Sequence, residues 1–212
     1  MKRGSFITFE GGEGMGKSTQ IRLLAQTLEE RGIDVVVTRE PGGTPGGEAI
    51  RELLLQPPGE GWTIEAEALL FAAARADHVA RLIVPALESG RWVLCDRFVD
   101  SSRAYQGIAG EMTDDAIKTL HGIGSGGLMP DLTLVLDASD AEVTARLARR
   151  DGGVSDAIGG RTAAFHASVN AAFQQIAASD PDRVRLIDGT GSIEEVRARV
   201  ADSVANLLAS RS

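Results

Sequence analysis

The chain has 212 residues and a mass of 22.3 kDa, the size of one domain or of one domain with a mobile flap. Apolar residues make up 43% and charged residues 25%, which excludes a disordered chain. The net charge of -8, from 22 basic and 30 acidic residues, excludes a protein that wraps a nucleic-acid polymer by neutralising its phosphates, but not one with a local basic pocket for a single small phosphate ligand.

Short β-prone runs alternate with long helical patterns. In chain order the pattern predicts strand Ser5–Glu10, helix Lys17–Arg31, strand Asp34–Thr38, helix Gly47–Leu55, helix Ile64–Ser89, strand Arg91–Asp96 and helix Asp114–Ile123. It continues with strand Leu132–Asp137, helix Ala141–Arg150, helix Arg161–Ser179, strand Val184–Ile187 and helix Ile193–Ser210. Ser139-x-x-Glu142 and Ser192-x-x-Glu195 are capping boxes that mark two of the helix starts. This alternation implies βαβ units, hence an α/β fold with a parallel sheet. Strands such as Trp92-Val93-Leu94-Cys95 are apolar throughout, as expected where helices cover both faces. In such sheets ligands gather at the carboxyl ends of the strands. No internal repeat or linker divides residues 1–212, which read as one domain. The glycine-rich stretch near residues 149–161 reads as a lid.

Gly11-Gly12-Glu13-Gly14-Met15-Gly16-Lys17-Ser18 matches the P-loop pattern, with Thr19 continuing into the helix. It follows an apolar strand and opens a helix, the context the motif requires. Its glycines let successive N–H groups curl around a phosphate, and the helix N-terminus adds donors and positive dipole. The motif puts Lys17 at the β/γ-phosphates and the Ser18 hydroxyl on Mg²⁺, so ATP and Mg²⁺ are the expected ligands. Switches, motors and kinases all use this cradle. An Asn-Lys-x-Asp segment, which would mark a guanine-specific switch, is absent from the sequence, and Asp156-Ala157-Ile158-Gly159 follows a helix rather than a strand.

Two further segments end strands. The third strand runs into Asp96-Arg97-Phe98, which puts a fork-shaped cation suited to bidentate phosphate recognition beside the P-loop. The second runs into Arg39-Glu40-Pro41-Gly42-Gly43-Thr44, whose glycines imply backbone close to a ligand.

Taken together, Phe9 to Thr19, Thr38 to Thr44 and Asp96 to Gly107 resemble bacterial thymidylate kinases, and the resemblance covers essentially the whole chain. It implies a P-loop kinase with a five-stranded parallel sheet flanked by helices, Mg·ATP-dependent phosphorylation of dTMP to dTDP in dTTP biosynthesis, and a homodimer. By the same resemblance Arg97 binds the acceptor phosphate, while Glu40 and Arg51 line the acceptor site. Phe71 stacks on thymine and Arg75 hydrogen-bonds a thymine carbonyl. Phe71, Arg75 and His78 share one helix face by their spacing, and His78 is read as structural. Ser102 and Gln106 correspond to positions near the base edge, and Tyr105 to one near the sugar. Glu13 corresponds to an acidic position near the sugar and the metal. Another nucleoside monophosphate kinase, or a non-catalytic ATP-binding module, stands as the alternative.

The resemblance also exposes a departure. Thymidylate kinases carry an extra catalytic arginine in the P-loop or the lid. The P-loop here has none, and the lid position where one is expected holds Ala157. Arg149, Arg150 and Arg161 are the remaining candidates, with Arg149 or Arg150 bridging the phosphates and Arg161 assisting. Asp96 is expected to orient Arg97 or the water ligands of the metal, alongside Glu13.

The single cysteine, Cys95, excludes an internal disulfide framework and fits a reducing compartment. With no apolar run near the ~20 residues of a membrane span, the expectation is a cytoplasmic protein without membrane partners. Cys95 and Trp92 read as core, and Trp62 has no evident role. Glycine is in excess, 25 residues where average usage gives roughly fifteen. Sixteen lie in four clusters: the P-loop, the segment after the second strand, Gly122–Gly127 and the lid.

Overall fold

A computed structural model describes residues 2–139, 142–143 and 159–209. Its five strands are all parallel. They are β1 (Phe6–Glu10), β2 (Val35–Arg39), β3 (Trp92–Asp96), β4 (Leu132–Asp137) and β5 (Val184–Asp188), in the spatial order β2-β3-β1-β4-β5. The order reverses at β1, which pairs with β3 on one side and β4 on the other. A crevice therefore opens at the carboxyl end of β1, where ligands bind in sheets of this kind.

The strand alternation sorts side chains into two layers. Ile7 and Phe9 of β1, Trp92 and Leu94 of β3, and Leu132, Leu134 and Leu136 of β4 face one way. They pack on helices α1 (Lys17–Glu29) and α8 (Ile193–Ala209) through Leu24, Leu28, Val196, Val200 and Val204. The neighbouring positions Phe6, Val93 and Cys95 face the other way. They meet Ile83, Leu87 and Phe98, while Val135 meets Val169, Phe173 and Ile176 of helix α7 (Ala163–Ser179). Burial on both faces accounts for the apolar strands. Both Trp92 and Cys95 lie in this core as expected.

Helices α2 (Pro45–Leu55), α3 (Ile64–His78), α6 (Asp114–Ser125) and α7 each begin at a threonine whose hydroxyl accepts a backbone N–H. At Ser192 the capping box closes as read: Ser192 N–H donates to Glu195 and Glu195 N–H to Ser192 Oγ. The helix expected over Ala141–Arg150 lies outside the described residues apart from Glu142 and Val143.

Three features differ from the expected elements. The rod expected over Ile64–Ser89 is helical but not uniform: after α3 comes a π-helical turn, Val79–Ile83, then α4 (Val84–Glu88). The Val84 N–H reaches back five residues to Val79 O. Pro85 has no N–H for the carbonyl four residues earlier, and the wider turn accommodates that break. Second, the segment after Asp96-Arg97-Phe98, where the pattern predicts no element, forms a short helix, α5 (Val99–Ser102), running into a π-helical stretch, Arg103–Ile108. Its Asp100, Ser102, Arg103 and Gln106 are all buried. A helix that buries polar side chains lacks the apolar period by which helices are recognised. Third, the glycines near 122–127 include the stop of α6, where Gly126 takes the left-handed conformation (φ 61) after Ser125. Trp62 also gains a place: its Nε1 donates to Leu53 O at the end of α2, 2.8 Å away.

Asp100 ties the helical insertion to the sheet. Its carboxylate accepts from Arg103 at 2.9 Å, from Arg183 at 2.6 and 3.1 Å, and from Thr133 of β4 at 3.1 Å. Burial pushes this carboxyl up, but the Arg183 and Arg103 guanidiniums outweigh burial and hold it below the usual range. Replacing Asp100 with Asn removes the charge and leaves both cations in place. Breaking a buried pair in this way costs about 3–5 kcal/mol. Because the folded-state value is depressed, the contribution is present above the ordinary Asp value near ~4 and is lost as pH falls through the folded value. Urea unfolding of wild type and Asp100→Asn at pH 7 is expected to show that gap, and unfolding at progressively lower pH to close it.

Candidate active site

Three strand ends meet at the crevice. The P-loop leaves β1 at Gly11, whose backbone has φ 123 and whose missing Cβ would run into the Leu136 carbonyl of β4. Any side chain here would push the loop off the sheet, so glycine is a packing requirement as well as a conformational one. Gly16, at φ 90, caps α1 and aims its first N–H groups into the loop. Lys17 folds back over the cradle, donating to Gly11 O at 3.1 Å and Gly12 O at 2.8 Å. Burial lowers the Lys17 ammonium to about 8, with the Arg97 charge adding to the shift.

Glu10 ends β1 and is completely buried. Its two oxygens accept from Phe98 N–H at 2.8 Å and from Ser101 Oγ at 2.6 Å. Burial and the neighbouring Asp100 push its carboxyl up to about 8, against the hydrogen bonds and the Arg97 charge. Sequence reasoning passed over this residue, because a single acid at a strand end carries no signal of its own.

Arg97 stands just past β3 in the left-handed region, φ 68. For a side-chain-bearing residue that conformation is strained, and here it turns the guanidinium toward the P-loop. One nitrogen donates to Gly11 O at 3.0 Å and Ser101 Oγ at 3.2 Å, the other to Glu13 at 2.7 Å. The guanidinium also lies 5.2 Å from the centre of the Tyr105 ring. Asp96, expected to orient Arg97 or the water ligands of the metal, makes its side-chain hydrogen bond on the cradle side. Its carboxylate accepts from the Ser18 hydroxyl at 3.0 Å. That pair of hard oxygens at the mouth of the cradle suits Mg²⁺. Among the described residues no group of three or more His, Cys, Asp or Glu could hold a metal. This donor set therefore fits a cation that brings its remaining ligands with it, as Mg²⁺ does when it arrives on a nucleotide's phosphates and waters.

A second cavity opens beside the cradle, lined by Phe71, Arg75, Ser102, Tyr105 and Gln106 among others. It shares four residues with the cavity over the P-loop: Glu13, Glu40, Arg51 and Arg97. Arg51 is anchored by a 2.9 Å hydrogen bond to Pro41 O. Arg75 is buried and held at three points: Nε donates to Glu40 at 2.7 Å, and one terminal nitrogen donates to Ser102 Oγ at 3.0 Å and Phe98 O at 3.2 Å. The other oxygen of Glu40 meets His78 Nδ1 at 3.0 Å, and His78 Nε2 meets Thr38 Oγ1 at 2.8 Å. His78 is thus structural toward the cavity, as read, but it belongs to the support of Arg75. Phe71 lines the same cavity from one turn earlier on α3.

The structure thus gathers Glu13, Lys17, Ser18, Glu40, Arg51, Phe71, Arg75, Asp96, Arg97, Ser102, Tyr105 and Gln106 around two adjoining cavities. Arg149, Arg150 and Ala157 lie outside the described residues. Arg161 is described, and it sits away from the cradle: it pairs with Glu67 on α3, and its guanidinium lies 4.6 Å from the centre of the Phe165 ring.

Comparison with known proteins agrees with this arrangement. The family model described as Thymidylate kinase matches residues 9–200. A thymidylate kinase from Rhizorhabdus wittichii is 56% identical over 205 residues, covering 97% of this chain and 99% of its own. One from a Bradyrhizobium species is 50% identical, covering 97% and 92%. The crystal structure of thymidylate kinase from Ehrlichia chaffeensis superposes with a TM-score of 0.75 at 34% identity, covering 96% of this chain and 99% of that one. A P-loop on a parallel sheet of this order, a family model that matches nearly the whole chain and relatives of this similarity mean that the chain belongs to the thymidylate kinase family.

Proposed function

We propose that this protein transfers the γ-phosphoryl group of ATP to dTMP, giving dTDP and ADP and so feeding dTTP synthesis. One observation carries the reading: the phosphate cradle and the acceptor cavity meet at Arg97 and Arg51, so two phosphate-bearing ligands face each other across cations.

The chemistry needs little from a general base. A phosphate monoester has a second pKa near ~6 and is already a dianion at neutral pH. One of its oxygens forms a bond to the γ-phosphorus, the β–γ bridging bond breaks, and its electron pair leaves on ADP. The obstacle is repulsion between two polyanions, and placed charge and alignment overcome it. Arg97 is positioned to hold the acceptor phosphate, with its strained backbone and the Glu13 and Ser101 contacts aiming the fork. Lys17 supplies positive charge to the donor phosphates once they displace the loop carbonyls it now satisfies. Ser18 and Asp96 would hold Mg²⁺, which when bound neutralises phosphate charge. Arg75 offers only donors, which suits a pyrimidine with a carbonyl at C4, and Phe71 offers an aromatic face to stack on. Tyr105 crowds the sugar side. Arg149 and Arg150 are retained as the arginines that reach the phosphates from the lid, about residues 149–161.

A homodimer and a cytoplasmic location are part of the same reading. The dimer is supported by Leu69 on α3 and Ile123 on α6, large apolar side chains left 56% and 81% exposed on two helices that pack together. The location is supported by the lone buried thiol of Cys95. No helix among the described residues is long and apolar enough to cross a membrane.

An ADP-release assay with dTMP, dUMP, AMP, GMP and CMP is expected to give the highest kcat/KM with dTMP; a better acceptor among the others would overturn the substrate assignment. Arg97→Ala is expected to lower kcat by about 10²–10³-fold, the loss typical of removing one positioned charge-stabilising donor. ATP binding should depend on pH through the cradle. Well below pH 8 Lys17 carries its proton and Glu10 is neutral; as pH rises through about 8 Lys17 loses charge and Glu10 gains a negative one. Both changes oppose a polyanion. Fluorescence titrations should therefore show a dissociation constant that is flat below about pH 7, has begun to rise by pH 8 and is at least about tenfold higher at pH 9. A constant that stays flat to pH 9 would show that Lys17 holds its proton throughout.

A further inference from the structure

Glu67 has no part in the reaction described so far, yet it is a buried carboxylate that stands behind Gln106, a residue lining the acceptor pocket. One oxygen accepts from the side-chain amide of Gln106 at 2.7 Å. The other is paired with Arg161, which reaches it from just before α7. Gln106 itself is 1% exposed and lines the acceptor cavity together with Arg75, whose hydrogen-bond partner Ser102 stands four residues before Gln106.

This arrangement settles the orientation of an amide that would otherwise be free to turn over. A carboxylate only accepts hydrogen bonds, so Gln106 must present its NH₂ to Glu67. The group left for the cavity is the Gln106 carbonyl oxygen, a pure acceptor. Arg75, which is a pure donor, lines the same cavity. A donor beside an acceptor matches a C4 carbonyl beside an N3–H, the edge that thymine and uracil share. Cytosine carries an amino group at C4 and a bare N3, and it is mismatched at both positions. Sites built to pair a substrate's polar edge discriminate strongly, because a wrong ligand leaves buried groups unpaired.

We propose that Glu67, with Arg161 as its counter-charge, is a specificity-determining positioning residue: it fixes the Gln106 amide so that the acceptor pocket takes 4-oxo pyrimidine monophosphates and rejects 4-amino ones. The proposal rests on the dTMP reading above and gives Arg161 a place on the acceptor side, 4.6 Å over Phe165, whose ring lies 6.1 Å from that of Tyr105. The 5-methyl group lies outside this mechanism, so Glu67 does not separate dTMP from dUMP.

The test is Glu67→Gln, which keeps the shape but can offer Gln106 either a donor or an acceptor. Steady-state kinetics with dTMP and dUMP, together with the inhibition constant of dCMP, are expected to show the KM for dTMP rising by about tenfold with kcat within about threefold. The ratio of the dCMP inhibition constant to the dTMP KM should fall at least about tenfold, while the dTMP to dUMP ratio stays fixed. If the constants for all three nucleotides rise together, or none moves, Glu67 is merely structural and the proposal is wrong. Should Glu67→Gln fail to fold, as judged by thermal melting, Arg161→Met decides. A raised KM for dTMP at unchanged KM for ATP supports the proposal, whereas a raised KM for ATP or a fallen kcat at unchanged KM for dTMP overturns it. A wild-type enzyme that does not phosphorylate dTMP would instead overturn the substrate assignment itself.

Discussion

The site depends on one junction, where the ends of β1 and β3 are tied together through a buried carboxylate. Glu10 leaves the central strand and accepts from both the backbone of Phe98 and the hydroxyl of Ser101. The Arg97 N–H between them donates to Phe9 O at 2.9 Å, and the Arg97 side chain returns to Gly11 O. Four contacts thus fasten the phosphate loop to Arg97 and the segment that follows it. The donor and acceptor halves cannot drift apart without breaking buried hydrogen bonds, each costly to leave unmade. Positioning is most of what a phosphoryl-transfer site supplies, so this rigidity is directly functional.

From that junction outward, the adjoining cavity is held by relays of buried polar groups as well as by apolar packing. Thr38, His78, Glu40 and Arg75 form one chain, reaching the pocket from the end of β2 through α3. Arg161, Glu67 and Gln106 form another, reaching it from the start of α7. Each ends in a side chain that lines the cavity, Arg75 in one and Gln106 in the other. The π-helical stretch Arg103–Ile108 is what turns Tyr105 and Gln106 inward together, and Asp100 holds that stretch against β4 and Arg183.

The acidic net charge acquires a physical sense in this setting. The surface as a whole repels polyanions, while Lys17, Arg51, Arg75 and Arg97 converge on adjoining cavities. All four cations are held by carbonyls or carboxylates: Lys17 by the loop, Arg51 by Pro41, Arg75 by Glu40 and Phe98, and Arg97 by Glu13.

Much of this protein was legible in the amino-acid order alone. Strand–helix alternation with strands apolar on both faces announced a parallel sheet, and glycine spacing before Lys17 and Ser18 announced the cradle, because these are local rules of conformation and of backbone shape. The same locality placed Arg97 at a strand end. What depends on distant residues meeting was not legible. Nothing in the order of residues says that Glu10 reaches Ser101, that Asp96 faces Ser18 rather than Arg97, or that Arg161 finds Glu67 across 94 positions. The helix over Val99–Ile108 escaped notice for a related reason: its inward face is polar, and only the partners brought by tertiary structure make that burial affordable. Local sequence determined which groups are present and on which elements; folding decided their pairings, because a buried charge takes its role from whatever the fold sets beside it.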